Sequence, residues 1–509
     1  MTDVASQDYV FAGWILVFVY TAVIIVYVVR GALRTKSIAD YAVGTIHFSP
    51  IAVGLALAAS MTSAATFIIN PGFIALYGLS GVLSYAIVLP IAAMISLVLL
   101  TKGFRHHGNT VNALSMAQWM GTRYKSPEYS LFFAFLSLLL ITFIVLIVVG
   151  LTKVLSKTLN LNELPVLIVI VVFIFGYMMF GGANSMVYTN TIQAILMIIV
   201  AFILLGSGYE HFSNGVHGFL DKLKAIDPKL IEATNANSFL FRDFFEIVIA
   251  QIIVGVAIVC QPHIITKSLL LKSDEEVNRY LTFAVITEML FFLVVITGLY
   301  ARLTFPDLTI GGVSLKMDGI ISAYVVQEFP VWVGLVVILG LISAGISTLE
   351  GLIQALSTTV TADIIKPLLG SIFPKDTDKR SKREILINKA VIFLLATVTI
   401  FLSYDQLIAP KLSVAIFAQN GVYAYFASAF VPILFGMFIQ RIPKSVPISA
   451  SLIAVIVHFT MYYGQLAVPF TRSTGENPGV AAAVAIIASL LGGILVWQLT
   501  KIRGGDGSD

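Results

Sequence analysis

Long apolar runs of about twenty residues recur along the whole chain, each followed by a short or moderately polar connection. A run of that length crosses roughly 30 Å of hydrocarbon as a helix. Thirteen spans are predicted, over about 10–29, 49–76, 79–101, 129–152, 163–180, 187–206, 244–266, 280–301, 331–363, 390–404, 412–438, 446–463 and 479–498. The apolar blocks are solid and do not alternate, which predicts an all-α polytopic membrane protein and excludes a barrel. The longest polar stretches are 209–243 and 366–389.

Two of these runs are interrupted. The second, "IAVGLALAASMTSAATFIINPGFIALYG", fills its middle with small and hydroxylated residues before Pro71–Gly72. The seventh carries Gly255 and Gln261–Pro262–His263 in an otherwise apolar stretch. Breaks at membrane depth persist where side chains, ions or ligands satisfy the freed backbone groups. Corresponding breaks five spans apart point to an inverted-repeat transporter with a midplane site. The repeats would cover about 49–206 and 244–438, with peripheral helices 10–29, 446–463 and 479–498 in a single transporter domain. Residues 502–509 are expected to be a disordered tail.

Charged residues are only 11% of the chain and hydrophobic ones 58%, so each buried charge demands an explanation. Glu350 is the clearest case. At 100° per residue, Ser343, Ala344, Ser347, Glu350, Gly351 and Gln354 lie within about 60° of Ser347, with Thr348 at the edge of that face. Adjacent hydroxyls and a carbonyl suit a hard monovalent cation, because such ions take oxygen ligands. Close packing of small residues explains Ser343, Ser347 and Gly351 equally well, but leaves Glu350 unexplained. No Lys or Arg falls at its depth, so its expected partner is a cation or a proton. Glu246 and Glu288 are placed near span ends, within reach of water, and Asp363 is expected to pair with Lys366. Gln193, Gln251, Gln419 and Asn420 are read as hydrogen bonds between helices.

With the N-terminus outside, 21 of the 31 Lys and Arg residues fall in inner loops. That distribution predicts a multi-pass protein of the cell inner (plasma) membrane with a cytoplasmic C-terminus. The first run is too long for a cleavable leader and is preceded by Asp3 and Asp8. The single cysteine, Cys260, excludes an internal disulfide and a cysteine metal cage. With neither a metal-ligand constellation nor a nucleophile–base pair in view, no enzyme is expected.

Three stretches, in order, resemble the sodium:solute symporter family over roughly 10–440. They are "MMFGGANSMVYTNTIQ" (178–193), "CQPHII" (260–265) and "AGISTLEGLIQALSTTVTADI" (344–364). The resemblance implies a five-plus-five inverted-repeat fold and solute uptake coupled to Na+. It implies sodium ligands at the carbonyls of Ala59, Thr62 and Ala344 and the hydroxyls of Ser347 and Thr348. Where many members carry an aspartate, this chain has Asn190. Where members with a second sodium site tend to have serine, it has Glu350. The expectation is a relocated carboxylate, with Glu350, Asn190 and Gly351 forming a second ion or proton site.

Solute contacts are expected from Ser63, Thr66, Gln261 and Gln419. "NPGFIALYGL" is similar to members that carry pantothenate or short carboxylates, so the solute class expected is a carboxylate, amino acid or vitamin-like molecule. The expected partners are that solute, sodium and the lipid bilayer, and no nucleic acid. The alternatives are a proton-coupled transporter using Glu350, or a membrane sensor with a separate signalling partner.

Overall fold

The structure is a computed structural model that describes residues 6–43, 48–111, 113–271, 273–409, 413–469 and 471–505. It is a helical membrane protein, and sheet among the described residues is limited to a short hairpin, Thr309–Ile310 with Val313–Ser314. Among the described residues ten helices are long and apolar enough to cross a bilayer, and up to twelve spans result when two bent pairs each count as one. The remaining expected span, 163–180, is a shorter apolar helix.

In chain order the helices are α1 (Gln7–Ala32), α2 (Pro50–Met61), α3 (Ala65–Tyr77), α4 (Leu79–Arg105), α5 (Pro127–Leu159) and α6 (Glu163–Met178). There follow α7 (Ala183–Phe212), α8 (Phe245–Ile258), α9 (Pro262–Leu270), α10 (Glu275–Thr304) and α11 (Val331–Leu368). The last are α12 (Thr377–Ile408), α13 (Val414–Phe438), α14 (Ser445–Gly464) and α15 (Pro478–Gly505). The expected disordered tail therefore begins as the last turn of α15, and residues 506–509 lie outside the described residues.

Both breaks fall where small or cyclic residues were read in the sequence. The pair α2 and α3 bends by 53°, and the pair α8 and α9 by 56°. Thr62 closes α2 in a non-helical conformation, and Gln261 is extended immediately before Pro262, which opens α9. Proline suits that first position because its missing N–H has no intrahelical partner to lose. α2 packs against α7, α10 and α11, while α8 packs against α4, α13 and α15. α9 returns to lie on α11.

Helix α12 starts well before the expected 390, because the charged stretch from Thr377 is itself helical. Asp376 caps it by accepting from the Lys379 amide at 2.9 Å. Charged side chains are good helix formers, and hydropathy ignores that.

The start of α8 is strapped to the connection between α14 and α15. Asp243 accepts from the Arg472 amide at 2.7 Å and from Ser473 Oγ at 2.9 Å. Asn477 Nδ2 donates to the Leu240 carbonyl at 3.3 Å. Glu246 belongs to the same region. It is buried and receives Arg242 Nη2 at 2.6 Å, so it does not reach water as expected.

Close packing fixes α3 against the end of α10. A Cβ built on Gly298 would sit 2.0 Å from the Pro71 carbonyl oxygen and 2.8 Å from Ile74 Cβ. Backbone cannot give way as a flexible side chain can, so Gly298→Ala should destabilise the fold by about 1–3 kcal/mol. A lowered thermal midpoint in detergent checks this, and an unchanged midpoint refutes it.

Candidate functional site

The end of α2 creates an excess of acceptors. A helix leaves its last carbonyls without intrahelical donors. Thr62 N–H still reaches the Ala58 carbonyl at 3.0 Å, but the carbonyls of Ala59 and Ser60 turn to α11 instead. Ser347 Oγ donates to Ala59 O at 2.7 Å, and Thr348 Oγ1 to Ser60 O at 2.9 Å. Both hydroxyls also lie near the Ala344 carbonyl, at 3.1 and 3.3 Å. Ala59, Ala344, Ser347 and Thr348 thus converge in one seam, and each is 0% exposed.

This donor set consists of oxygens only, carbonyl and hydroxyl, which fits a hard cation. A cation seated there would take the lone pairs of the hydroxyls, whose protons can rotate away. Thr62, predicted as a ligand through its carbonyl, donates its hydroxyl to the buried carboxylate of Glu288 on α10. Glu288 is 0% exposed, so its expected place at a water-facing span end is corrected.

Ser60 is a node beside the seam that sequence reasoning missed. Its hydroxyl donates to Ser347 O at 3.2 Å and accepts from Asn190 Nδ2 at 3.1 Å and Lys267 Nζ at 2.6 Å. Lys267 also donates to the Ala56 carbonyl at 2.8 Å and is buried. The expectation that no basic residue shares the depth of Glu350 is therefore corrected. Counted by hydropathy into a loop, Lys267 is folded back into the protein by the bend before α9.

Glu350 is held by neutral donors. Tyr177 Oη donates to Oε1 at 2.7 Å and Thr189 Oγ1 to Oε2 at 2.8 Å, tying α11 to α6 and α7. Asn190 and Glu350 do not touch by hydrogen bond. The adjacent residues 189 and 190 reach across separately, to Glu350 and to Ser60. At Gly351 a Cβ would stand 3.3 Å from His263 Cβ, so the glycine admits α9 against α11.

Asp363 is corrected as well. It accepts from Gln118 Nε2 at 2.8 Å and from Ser115, while Lys366 pairs with Glu384 at 2.7 Å. Of the four intramembrane amides, Gln193 reaches Tyr20 of α1 at 2.9 Å, a bond between helices as read.

All four predicted solute contacts line one cavity of about 80 Å³, which is larger than a single water needs. Ser63 and Thr66 come from the first break, Gln261 from the second and Gln419 from α13. Asn70, Tyr85 and Tyr423 add polar atoms that sequence reasoning missed, and Phe143 and Phe292 add aromatic walls. Gln419 Nε2 and Tyr85 Oη are 3.4 Å apart. No Lys, Arg, Asp or Glu is among the described lining residues.

Two broken membrane helices, a buried oxygen seam between spans and an adjoining cavity are the parts of a secondary transporter rather than an enzyme. The chain belongs to the sodium:solute symporter family, which it matches over residues 41–454. Sodium-coupled symport of a solute is accordingly its activity. It is 28% identical over 392 residues to a sodium/pantothenate symporter of Haemophilus influenzae, covering 76% of each chain. It is 25% identical over 478 residues to a sodium/pantothenate symporter of Escherichia coli, covering 92% of each. A Na+-coupled sialic acid symporter, solved substrate-bound and outward-open, has a similar fold. The TM-score is 0.76 at 17% identity, over 96% of this chain and 97% of that one.

Proposed function

We propose that the protein imports a small organic acid of the pantothenate type, driven by sodium held in the seam between α2 and α11. The observation that carries this reading is the cavity that unites Ser63, Thr66, Gln261 and Gln419 beside that seam. Its mixed lining suits a molecule with apolar carbon and several hydroxyl or amide groups. A carboxylate there has no cationic side chain among the described lining residues. The positive end of α3, which starts at the cavity, and the sodium charge would stabilise it instead. Two relatives bear the name sodium/pantothenate symporter. A third, 23% identical over 93% of this chain and 89% of its own, is a monocarboxylic acid transporter of Corynebacterium glutamicum.

In this reading Ala59, Thr62, Ala344, Ser347 and Thr348 hold sodium, with Thr62 contributing its carbonyl. The core is a five-plus-five inverted repeat, with the N-terminus outside and the C-terminus cytoplasmic. The packing supports the repeat: α2 lies on α10 as α8 lies on α4, which is the exchange expected when spans 2 and 3 correspond to spans 7 and 8. Sodium binding then favours the state that completes the cavity, and rocking of the core releases both cargoes inside.

Proteoliposomes test the reading directly. Labelled pantothenate should accumulate under an inward sodium gradient, and a proton gradient alone should not drive it. Sodium and pantothenate together should raise the thermal midpoint by more than the sum of their separate effects, since coupled ligands strengthen each other. Accumulation of proline in place of pantothenate would overturn the proposed solute class.

A further inference from the structure

We propose that Lys267 is a resident cation that competes with sodium for the seam and promotes its release. The inference rests on the assignment of sodium to the seam. Three observations carry it. The ammonium is buried and donates to Ala56 O and Ser60 Oγ, both on α2, the helix whose next turn supplies Ala59. Through Ser60 it is one hydrogen bond from Ser347 O and one from Asn190. Lys267 also lines a second small cavity with His263, Thr266, Gly351 and Gln354, separate from the solute cavity.

The chemistry follows from like charge. Two cations that share the carbonyl end of one helix repel, and in a buried seam little water screens them. The hydrogen-bond partners of Lys267 are neutral oxygens, and it forms no ion pair with a carboxylate among the described residues. Arrival of sodium therefore pushes the ammonium from α2 toward the second cavity, and its return pushes sodium out. Lys267 is a positioning residue that acts through Ser60, and it prevents sodium from binding too tightly to leave.

The test compares Lys267→Gln, which keeps hydrogen-bond donors but loses the charge, with Lys267→Arg, which keeps the charge. Equilibrium binding of radiolabelled sodium to purified protein should tighten by about tenfold in Lys267→Gln. It should stay within about threefold of the parent in Lys267→Arg. Maximal uptake by Lys267→Gln should fall while the sodium concentration for half-maximal uptake falls too. Mere structural damage would raise the latter. Unchanged or weakened sodium binding in Lys267→Gln overturns the proposal.

Should that variant not be recovered folded, the unaltered protein gives the answer by reductive methylation and mass spectrometry. Sodium should increase modification of Lys267 relative to choline at equal ionic strength, and no change or a decrease overturns the idea. Ser347→Ala separates the two levels. If it leaves sodium binding intact, the seam assignment fails. If it removes binding while Lys267→Gln changes nothing, only the role of Lys267 fails.

Discussion

Replacing Ser347 with alanine is expected to weaken sodium binding by about 10–100-fold, the range for losing one hydrogen-bonding group from a charged partner. Ser347 makes the shortest side-chain contact in the seam, 2.7 Å to Ala59 O. Its hydroxyl reaches Ala59 O and Ala344 O, and its carbonyl receives the Ser60 hydroxyl. Alanine removes the hydroxyl and leaves the helix and its carbonyl in place, so folding should survive. The solute-saturated uptake rate should recover at high sodium, which distinguishes a lost sodium ligand from a damaged solute cavity. Uptake measured against sodium concentration decides the matter. A curve unchanged from the parent would remove sodium from this seam.

Glu350 should respond differently to its two simplest substitutions. Glu350→Ala strips the acceptors from Tyr177 and Thr189 and opens space among three helices. Thr189 keeps the Met186 carbonyl at 3.0 Å, but Tyr177 is left a buried donor without a partner, which costs about 1–3 kcal/mol besides the cavity, so a fall in thermal midpoint is expected. Glu350→Gln keeps the volume and one acceptor, and it should fold. If the carboxylate carries a second sodium or a coupled proton, as we propose, Glu350→Gln should change how uptake depends on those ions. Asn190→Asp should partly restore that dependence, because its side chain stands at the neighbouring Ser60 node. Uptake by the two single variants and the double variant, across sodium concentration and pH, reads this out. Unchanged ion dependence in Glu350→Gln would reduce the residue to a clasp between helices.

Much of this architecture is legible in the sequence because membrane helices announce themselves by local composition. The breaks are legible for the same reason: small residues around Ser60 and the Gln261–Pro262 pair lie within the spans they interrupt. Ser63, Thr66, Gln261 and Gln419 could be named because they are polar groups in disturbed or apolar surroundings. Asn70 carried the same mark, directly before Pro71, and was passed over, whereas Tyr85 carried none and only the packing of α4 around the cavity singles it out. Lys267 failed for a deeper reason. Hydropathy assigns depth by position along a straight span, whereas a 56° bend carries the following residues back among the helices. The same limit misplaced Glu246 and Glu288, whose partners come from Arg242 at a helix start and from Thr62 in another span.

The strap at Asp243 has a mechanical corollary. Fastened by four polar ties to the 472–477 stretch, the first half of the second broken helix cannot lean independently of the two terminal helices. Any swing of that helix must then be taken up at its elbow, around Cys260 and Gln261, leaving α9 as the lever that travels. The last helices, which contribute nothing to the lining of the cavity, would serve as the anchor against which that lever works.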